Sequence, residues 1–189
     1  MSLDVPGFAD PVLGAQACFR AVLGAMSRPG TLHRAGVELT PPTPLDPATA
    51  AVLLTLVDAE TPLQAGAGTE PAQDWIAFHC GASFAGPDSP FVLALELPRL
   101  ATVAAGSDDA PEHSSTVILQ VAALGEGRVF GLAGPGLAET ASLRVDGLPE
   151  DFAAQWAANH ALYPRGVDLI LCAGSTLTAL PRSLRISEA

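Results

Sequence analysis

The sequence predicts an α/β fold in which a mixed central β-sheet is covered by helices, within one domain spanning residues 1–189. Three observations support this fold class. Apolar residues recur at helical spacing behind typical helix starts, short apolar strand-like segments are interspersed with them, and two pairs of such segments flank Gly-containing turns. With 49% hydrophobic and 15% charged residues, the chain can bury one sizeable core.

The first helix is expected over about residues 10–27. Asp10 accepts hydrogen bonds from the free N–H groups of the first turn, and Pro11 suits a position that needs no N–H partner. Apolar residues then recur at helical spacing, which predicts an amphipathic helix. They are Val12, Ala15, Phe19, Val22, Leu23 and Met26.

Two further helices are expected. Asp46-Pro47 begins a segment reaching about Val57 that is apolar nearly all round, so it should be buried. Pro149-Glu150-Asp151 begins the other, because acidic residues are favoured at a helix N-terminus. Its apolar face carries Phe152, Trp156 and His160.

The strands in the first half of the chain are short. Extended structure is expected over Thr31–Arg34, Thr61–Gln64 and Phe91–Leu97. The segment Pro71–His79 fits either a helix or a strand. Asp108–His113 is expected to be a polar loop.

Two hairpins are expected in the second half. Thr116–Leu124 is apolar on both faces, as in a central strand, and Gly125-Glu126-Gly127 is interpreted as its turn into a strand over residues 128–132. Val167–Cys172 and Thr176–Leu180 flank the turn of the other hairpin. Leu184–Ile186 is a candidate final extended segment.

The charge composition excludes several classes of function. The chain has nine cationic residues, all Arg, against 20 carboxylates, for a formal charge of -11. A nucleic-acid-binding surface needs basic stripes, so no nucleic-acid partner is expected. Without Lys the chain cannot form a Schiff base with pyridoxal phosphate, and it cannot contain a P-loop.

The cysteines and the N-terminal segment point to a cytoplasmic protein. Cys18, Cys80 and Cys172 are far apart and odd in number, which disfavours a disulfide framework or a zinc site and favours reduced, buried thiols. The N-terminal residues lack the basic and apolar regions of a signal peptide. No uncharged apolar stretch approaches membrane-spanning length, so no membrane association is expected.

The candidate catalytic patterns are weak. His79-Cys80 and His113-Ser114-Ser115 place a base beside a nucleophile, but chain neighbours usually point apart. The four His residues show no metal-ligand spacing. The acidic pairs Asp58/Glu60, Asp108/Asp109 and Glu150/Asp151 lie at helix ends or in loops, where capping or solvated roles are expected.

Residues Gly131–Gly136 could form an anion nest, but a tight turn is the preferred interpretation because no helix start follows. Arg side chains are the remaining candidates for binding an anion or a partner, with a plain salt bridge as the alternative for each. The candidate interaction or anion-binding residues are Arg20, Arg28, His79, Arg165 and Arg182.

Several segments, taken in order, resemble one protein family. They extend over nearly the whole chain, with the weakest match over residues 66–112 outside Phe78-His79. They are Phe19-Arg20, residues 26–30, residues 53–62, Phe78-His79, residues 116–121, residues 134–139, residues 163–171 and residues 180–182. In their joint order and spacing they resemble the PhnH family, the H subunits of the bacterial carbon–phosphorus lyase system.

The resemblance implies a role in phosphonate use. It implies a subunit that assembles with the G, I and J subunits, in a pathway where methylphosphonate displaces the adenine of a nucleoside triphosphate to give ribose 1-methylphosphonate 5-triphosphate. It also implies a fold similar to the large domain of pyridoxal-phosphate-dependent transferases, without that cofactor. We expect no cofactor, and the resemblance assigns no catalytic residue.

Two hypotheses follow. The first is a non-catalytic assembly subunit that docks onto sister subunits and forms a homodimer in isolation. The second is a subunit that contributes residues such as Arg20, Arg28 or His79 to a nucleotide or phosphonate pocket. An unrelated free-standing enzyme is the remaining alternative. Convergence of the Arg residues into one cleft would favour the second hypothesis, and their dispersal along an apolar face the first.

Overall fold

The computed structural model describes residues 4–188, which form four α-helices and nine β-strands. The helices are α1 (Pro11–Ser27), α2 (Pro47–Leu56), α3 (Glu70–Cys80) and α4 (Phe152–His160). The strands are β1 (His33–Arg34), β2 (Leu63–Ala65), β3 (Phe91–Ala94), β4 (Thr116–Gln120), β5 (Ala123–Ala133), β6 (Ala141–Asp146), β7 (Asp168–Ala173), β8 (Thr176–Leu180) and β9 (Arg185–Glu188). Two short 3-10 turns, Leu100–Thr102 and Pro111–His113, lie between β3 and β4.

Six strands form a mixed sheet in the order β1-β8-β7-β4-β3-β2. Strands β2, β3, β4 and β7 are parallel, whereas β8 and β1 continue the sheet in antiparallel pairs. Val117 of β4 lies opposite Val92 of β3 and Leu169 of β7, so β4 is central. The α/β prediction with a mixed central sheet is confirmed.

Helices cover one face of this sheet. The core on that side joins α1, α2 and α3 to alternate strand residues such as Ile118 and Ile170, and Trp75 of α3 is fully buried there. Residues Ala48–Leu53 of α2 are all buried, as its all-round apolar pattern predicts. The ambiguous segment Pro71–His79 is helical and belongs to α3.

A second sheet and one helix cover the other face, so the expectation of helices alone is wrong there. Strands β6-β5-β9 form an antiparallel sheet, and its buried side chains pack with α4 against residues such as Val117 and Leu169. The rings of Phe130 on β5 and Phe152 on α4 lie 5.3 Å apart, edge to face. The Trp156 indole N–H donates to the Leu184 carbonyl oxygen at 2.8 Å.

The hairpin expected at Gly125-Glu126-Gly127 is also wrong. The apolar run over residues 116–124 belongs to two sheets, because the chain leaves β4 at Val121 and enters β5 at Ala123. The three residues form a bulge within β5, since Leu124 and Arg128 both lie opposite Val145 of β6. Gly125 and Gly127 have φ of 89° and 83°, a conformation that favours glycine.

The other predicted elements are found. The second hairpin is β7 and β8, and the final extended segment is β9. Strand β3 ends at Ala94, three residues before the expected end. The prediction about the N-terminal segment lies partly outside the described residues, which begin at Asp4. Within residues 4–188 no helix is long and apolar enough to cross a membrane.

Candidate functional site

Helix α1 buries its small side chains and exposes its large ones. It begins as predicted, with the Asp10 carboxylate accepting from the N–H groups of Val12 and Leu13 at 3.0 Å. The spacing of four, three and four residues along the buried side lets α1 lie close to α2 and β8. That side is Gly14, Cys18, Ala21 and Ala25, with Val22 beside it.

The opposite side of α1 carries large apolar residues. Val12, Leu13, Phe19 and Leu23 are between 52% and 64% exposed and fall within about 120° of arc, at 100° per residue. Val37, after β1, is 58% exposed and borders the same groove as Leu13. We call these five residues the α1 surface.

A groove of about 490 Å³ extends the α1 surface toward the segment after β1. Leu13 and Val37 line it, Arg34 and Glu38 add charge, and Cys18 lies at its floor. Burial raises the pKa of the Cys18 thiol, so the thiol is in its uncharged form. The groove is thus apolar with a charged rim, as protein interfaces commonly are.

Charges of both signs surround the α1 surface: Arg20 lies on the helix, and Arg34, Asp10 and Glu38 line the adjoining groove. Residues 11–37 contain three of the nine Arg residues and none of the 20 carboxylates. Arg20 lies on the exposed side of α1, where its guanidinium donates to the Gln16 side-chain oxygen at 3.3 Å. The surface is therefore apolar, with Arg20 on the helix and charges of both signs along the groove, on a chain whose formal charge is -11.

Arg28 lies at the C-terminus of α1, where its backbone N–H donates to the Gly24 carbonyl oxygen at 3.1 Å. Its neighbours Ser27 and Pro29 pack closely against Gly136. A Cβ atom added to Gly136 would lie 2.4 Å from the Ser27 carbonyl oxygen. Gly136 belongs to the turn between β5 and β6, where the Leu137 N–H donates to the Gly134 carbonyl oxygen. The preferred interpretation of this segment as a tight turn agrees with that geometry.

His79 is tied to the N-terminal segment. Its Nε2 atom lies 3.0 Å from the Val5 carbonyl oxygen, which also accepts from the Trp75 indole N–H at 2.8 Å. The imidazole packs against the rings of Trp75 and Phe78. Burial raises the pKa of the adjacent Cys80 thiol to about 12, opposite to the shift an activated nucleophile requires. These contacts give His79 a structural role.

Arg182 joins three segments. Its Nη1 atom donates to the carbonyl oxygens of Pro111 at 2.9 Å and Gly166 at 2.8 Å, and it also contacts the Ser114 hydroxyl. Its Nη2 atom lies 3.5 Å from a carboxylate oxygen of Asp168, whose other oxygen accepts from the Arg182 backbone N–H at 2.6 Å. We call these residues the Arg182 cluster.

The Arg182 cluster is a structural junction. Burial raises the pKa of Asp168, although the Arg182 backbone N–H and guanidinium act in the opposite direction. The guanidinium has protein partners on both Nη atoms, which leaves it little capacity for a ligand. Nearby, Arg165 Nε lies 2.8 Å from an Asp108 carboxylate oxygen in a surface ion pair.

The five candidates therefore do not meet in one cleft. Arg20 lies at the α1 surface and Arg28 at the end of α1, whereas His79, Arg165 and Arg182 have the other partners described above. The Ser115 hydroxyl donates to the Ser89 carbonyl oxygen at 2.6 Å. Among residues 4–188, no three His, Cys, Asp or Glu residues are grouped as metal ligands would be.

The α1 surface is the feature that the periodicity analysis did not identify. Val12, Phe19 and Leu23 fitted the apolar side of an amphipathic helix, yet the structure exposes all three. Two signals in the sequence pointed to it. One is the row of small residues on the other side of the helix, and the other is the carboxylate-free stretch over residues 11–37.

Comparison with known proteins identifies the family. The family described as "Bacterial phosphonate metabolism protein (PhnH)" matches residues 6–187. A protein of Rhizobium meliloti (strain 1021), "Alpha-D-ribose 1-methylphosphonate 5-triphosphate synthase subunit PhnH", is 38% identical over 188 residues, covering 96% of this chain and 94% of that protein. "Putative C-P lyase subunit protein HtxG" of Stutzerimonas stutzeri is 38% identical over 87 residues, covering 46% of this chain and 45% of that protein. The resemblance expected from the sequence is confirmed: the chain belongs to the PhnH family of bacterial phosphonate metabolism proteins.

Proposed function

We propose that this chain is a subunit of ribose 1-methylphosphonate 5-triphosphate synthase, in the carbon–phosphorus lyase pathway, and that it acts in assembly without its own active site. The Rhizobium meliloti relative, whose name carries that activity, matches nearly the full length of the chain. The observation that carries the assembly role is the α1 surface, which exposes four large apolar side chains from a single helix.

The chemistry of the α1 surface favours a partner of a different kind over a second copy. Arg20 and Arg28 lie on or beside it, and no carboxylate occurs between Pro11 and Val37. Two copies meeting through the middle of α1 around a twofold axis would bring Arg20 of one copy close to Arg20 of the other. A sister subunit with an apolar centre and carboxylates at its rim would complement it, and we propose the G, I and J subunits as the candidates.

The remaining features of the proposal follow from family membership. The chain would act in the cytoplasm as one domain, form a homodimer when isolated through a surface other than α1, and share the fold of the large domain of pyridoxal-phosphate-dependent transferases. It would not bind pyridoxal phosphate through an aldimine, because it contains no Lys. Arg20 and Arg28 are the proposed contact residues among the five candidates, because the other three have structural partners.

The test is binding of the purified chain to the G, I and J subunits, singly and together. A double variant, Phe19→Ser with Leu23→Ser, should weaken binding at least about 100-fold, because anchors in an interface centre commonly contribute 2 kcal/mol or more each. Phe78→Ser is the control, since Phe78 is an exposed aromatic residue on α3, 66% exposed against 52% for Phe19. Binding that Phe78→Ser reduces as much as the double variant would contradict a role for the α1 surface.

The assembly role itself has a separate test. Light scattering of the isolated chain at micromolar concentration should detect a dimer, and the isolated chain should show negligible turnover of methylphosphonate with a nucleoside triphosphate. A monomer that also binds none of the three subunits would overturn the assembly role. Steady turnover by the chain alone would replace it with the pocket hypothesis.

A further inference from the structure

Three large apolar side chains of α1 lie on one line along the helix. Val12, Phe19 and Leu23 fall within about 40° of arc at 100° per residue, and each is more than half exposed. Gln16, which is also exposed, lies on the same side, about 20° from Leu23. The four positions follow one another at spacings of four, three and four residues. We call them the α1 seam.

The spacing of the α1 seam is the pattern by which one helix packs lengthwise along another. Alternating steps of three and four residues keep successive side chains on one side of a helix, as at the a and d positions of a coiled coil. From Val12 to Leu23 the helix rises about 17 Å, at about 1.5 Å per residue. Met26 is the next position of the pattern, but it packs against the core, so the exposed seam ends at Leu23.

The α1 seam is the more apolar of two surfaces that this helix offers. Val12 and Leu13 are equally exposed, at 64% each, but they lie about 100° apart around the helix. Leu13 borders the groove after β1, which is also lined by charged residues of both signs. Charged residues are depleted at the centre of a protein interface and are found at its rim. The seam contains no charged residue and is therefore the better centre for an interface.

Arg20 places a positive charge beside the seam. It lies about 60° from Leu23, and its guanidinium donates to the Gln16 side-chain oxygen at 3.3 Å. Within residues 4–188 no carboxylate lies within 4 Å of Arg20, whereas four other Arg residues form ion pairs. A carboxylate of the partner is the complementary group, because residues that flank a helix–helix seam commonly pair by charge. Gln16 is a polar residue within the seam, and such a residue can fix the register of two helices.

We propose that the α1 seam binds one amphipathic helix of a sister subunit, packed lengthwise along α1. The partner helix carries an apolar stripe with the same spacing, a hydrogen-bonding side chain opposite Gln16 and a carboxylate opposite Arg20. A second copy of α1 lacks that carboxylate, because residues 11–37 contain none. The inference rests on the proposed function, since it identifies the structural element through which a sister subunit binds.

Substitution of two neighbouring residues tests the seam against the groove. Val12→Ser should weaken binding of the full-length chain to its sister subunit about 10-fold or more, because Val12 lies at the centre of the interface. Leu13→Ser is the matched control, since Leu13 has the same exposure, and it should weaken binding less than about 3-fold. An equal loss for both variants, or a larger loss for Leu13→Ser, would overturn the proposal.

The charge beside the seam has its own test. Binding of the wild-type chain should weaken as the salt concentration rises, because salt screens the ion pair formed by Arg20. Arg20→Gln should weaken binding at low salt about 3-fold and should remove most of the salt dependence. Arg144→Gln, at an exposed position of β6, is the control and should leave both unchanged. Wild-type affinity and salt dependence in Arg20→Gln would overturn the proposed carboxylate and with it the proposal.

Photocrosslinking identifies the kind of element that lies on the seam. A benzophenone side chain is introduced at Leu13 or at Ser27, which are exposed and flank the seam on the same side. The two positions are about 21 Å apart along α1, at about 1.5 Å per residue. On a partner helix the crosslinked sites should be about 14 residues apart in one segment, whereas an extended strand covers this distance in about six residues. Sites about six residues apart, or in separate segments, would overturn the proposal.

Failure of this inference is distinguishable from failure of the proposed function. A chain that binds none of the G, I and J subunits overturns the assembly role. Binding that persists in Val12→Ser, or crosslinks with the spacing of a strand, leaves the assembly role intact and overturns only the helix on the α1 seam.

Discussion

Helices α1 and α4 cover opposite faces of the six-stranded sheet and place their large side chains in opposite directions. In α4, Phe152 and Trp156 are fully buried, and the Trp156 N–H has a backbone acceptor. In α1, Phe19 is 52% exposed while Cys18, Ala21 and Ala25 face the core. An apolar residue at helical spacing therefore occupies a core position in one helix and an exposed position in the other.

The difference follows from what each helix packs against. Helix α4 packs against β9 and the 3-10 turn Leu100–Thr102, and its large rings extend into the core that the two sheets share. Helix α1 packs against α2 and β8, and small residues at the contact let the backbones approach closely. The large residues of α1 are then left exposed, whereas those of α4 serve the stability of the fold.

Truncating one aromatic residue in each helix gives the largest expected contrast. Trp156→Ala should lower the free energy of unfolding by about 4 kcal/mol, because it leaves a cavity and an orphaned carbonyl group at Leu184. Phe19→Ala should change it by less than about 0.5 kcal/mol, since Phe19 is half exposed. Denaturant unfolding measures both values.

A milder substitution covers the case in which Trp156→Ala does not fold. Phe152→Leu should lower the free energy of unfolding by about 1 kcal/mol, a change that denaturant unfolding can measure. A loss at Phe19 as large as the loss at Trp156 would show that the α1 surface is part of the fold and would remove the contrast between the helices.

The Arg182 cluster provides a second, polar comparison, because it lies on the α4 side of the sheet. Arg182→Ala should cost about 3 kcal/mol, since it leaves the Gly166 carbonyl group without a donor, removes one of the two donors to the Pro111 carbonyl group and leaves Asp168 without its ion pair. Arg182→Lys should recover little of this loss, because one ammonium group cannot replace the several N–H donors of the planar guanidinium group. Arg144→Ala, at an exposed position, should stay within about 0.5 kcal/mol in the same unfolding experiment.

The pH dependence of stability gives the smallest expected effect. Burial raises the pKa of Asp168 above its ordinary value of about 4, so the folded chain binds this proton more tightly than the unfolded chain does. As pH rises from about 4 through the raised pKa, the wild-type chain should lose stability relative to Asp168→Asn, and the difference should then become constant. Unfolding free energies of both chains across that range provide the measurement. The opposite slope would show that the ion pair with Arg182 outweighs burial.

Much of the fold was predictable from local patterns. Asp10-Pro11 begins α1 because its capping chemistry needs no tertiary contact, and Pro47 suits the first position of α2, although the Asp46 carboxylate accepts from the distant Gly174 N–H instead of capping that helix. The β7–β8 hairpin was likewise predictable from its turn residues and the flanking apolar segments. The errors arose where two neighbouring segments of the chain belong to different sheets. The run over residues 116–124 has the pattern of a single strand, but the chain crosses from one sheet to the other within it.

The functional surfaces were less predictable for a related reason. The sequence by itself determined the family, the absence of Lys and the carboxylate-free character of residues 11–37. It could not determine which side of α1 faces the core, because both sides are apolar and only packing against α2 and β8 selects the small one. The sequence also could not show that His160, Tyr163 and Arg185 lie near one another. They meet only where α4, β5 and β9 come together, and those contacts join residues distant in the chain. Local capping and turn chemistry act between near neighbours, whereas surfaces and pockets depend on which faces the core buries.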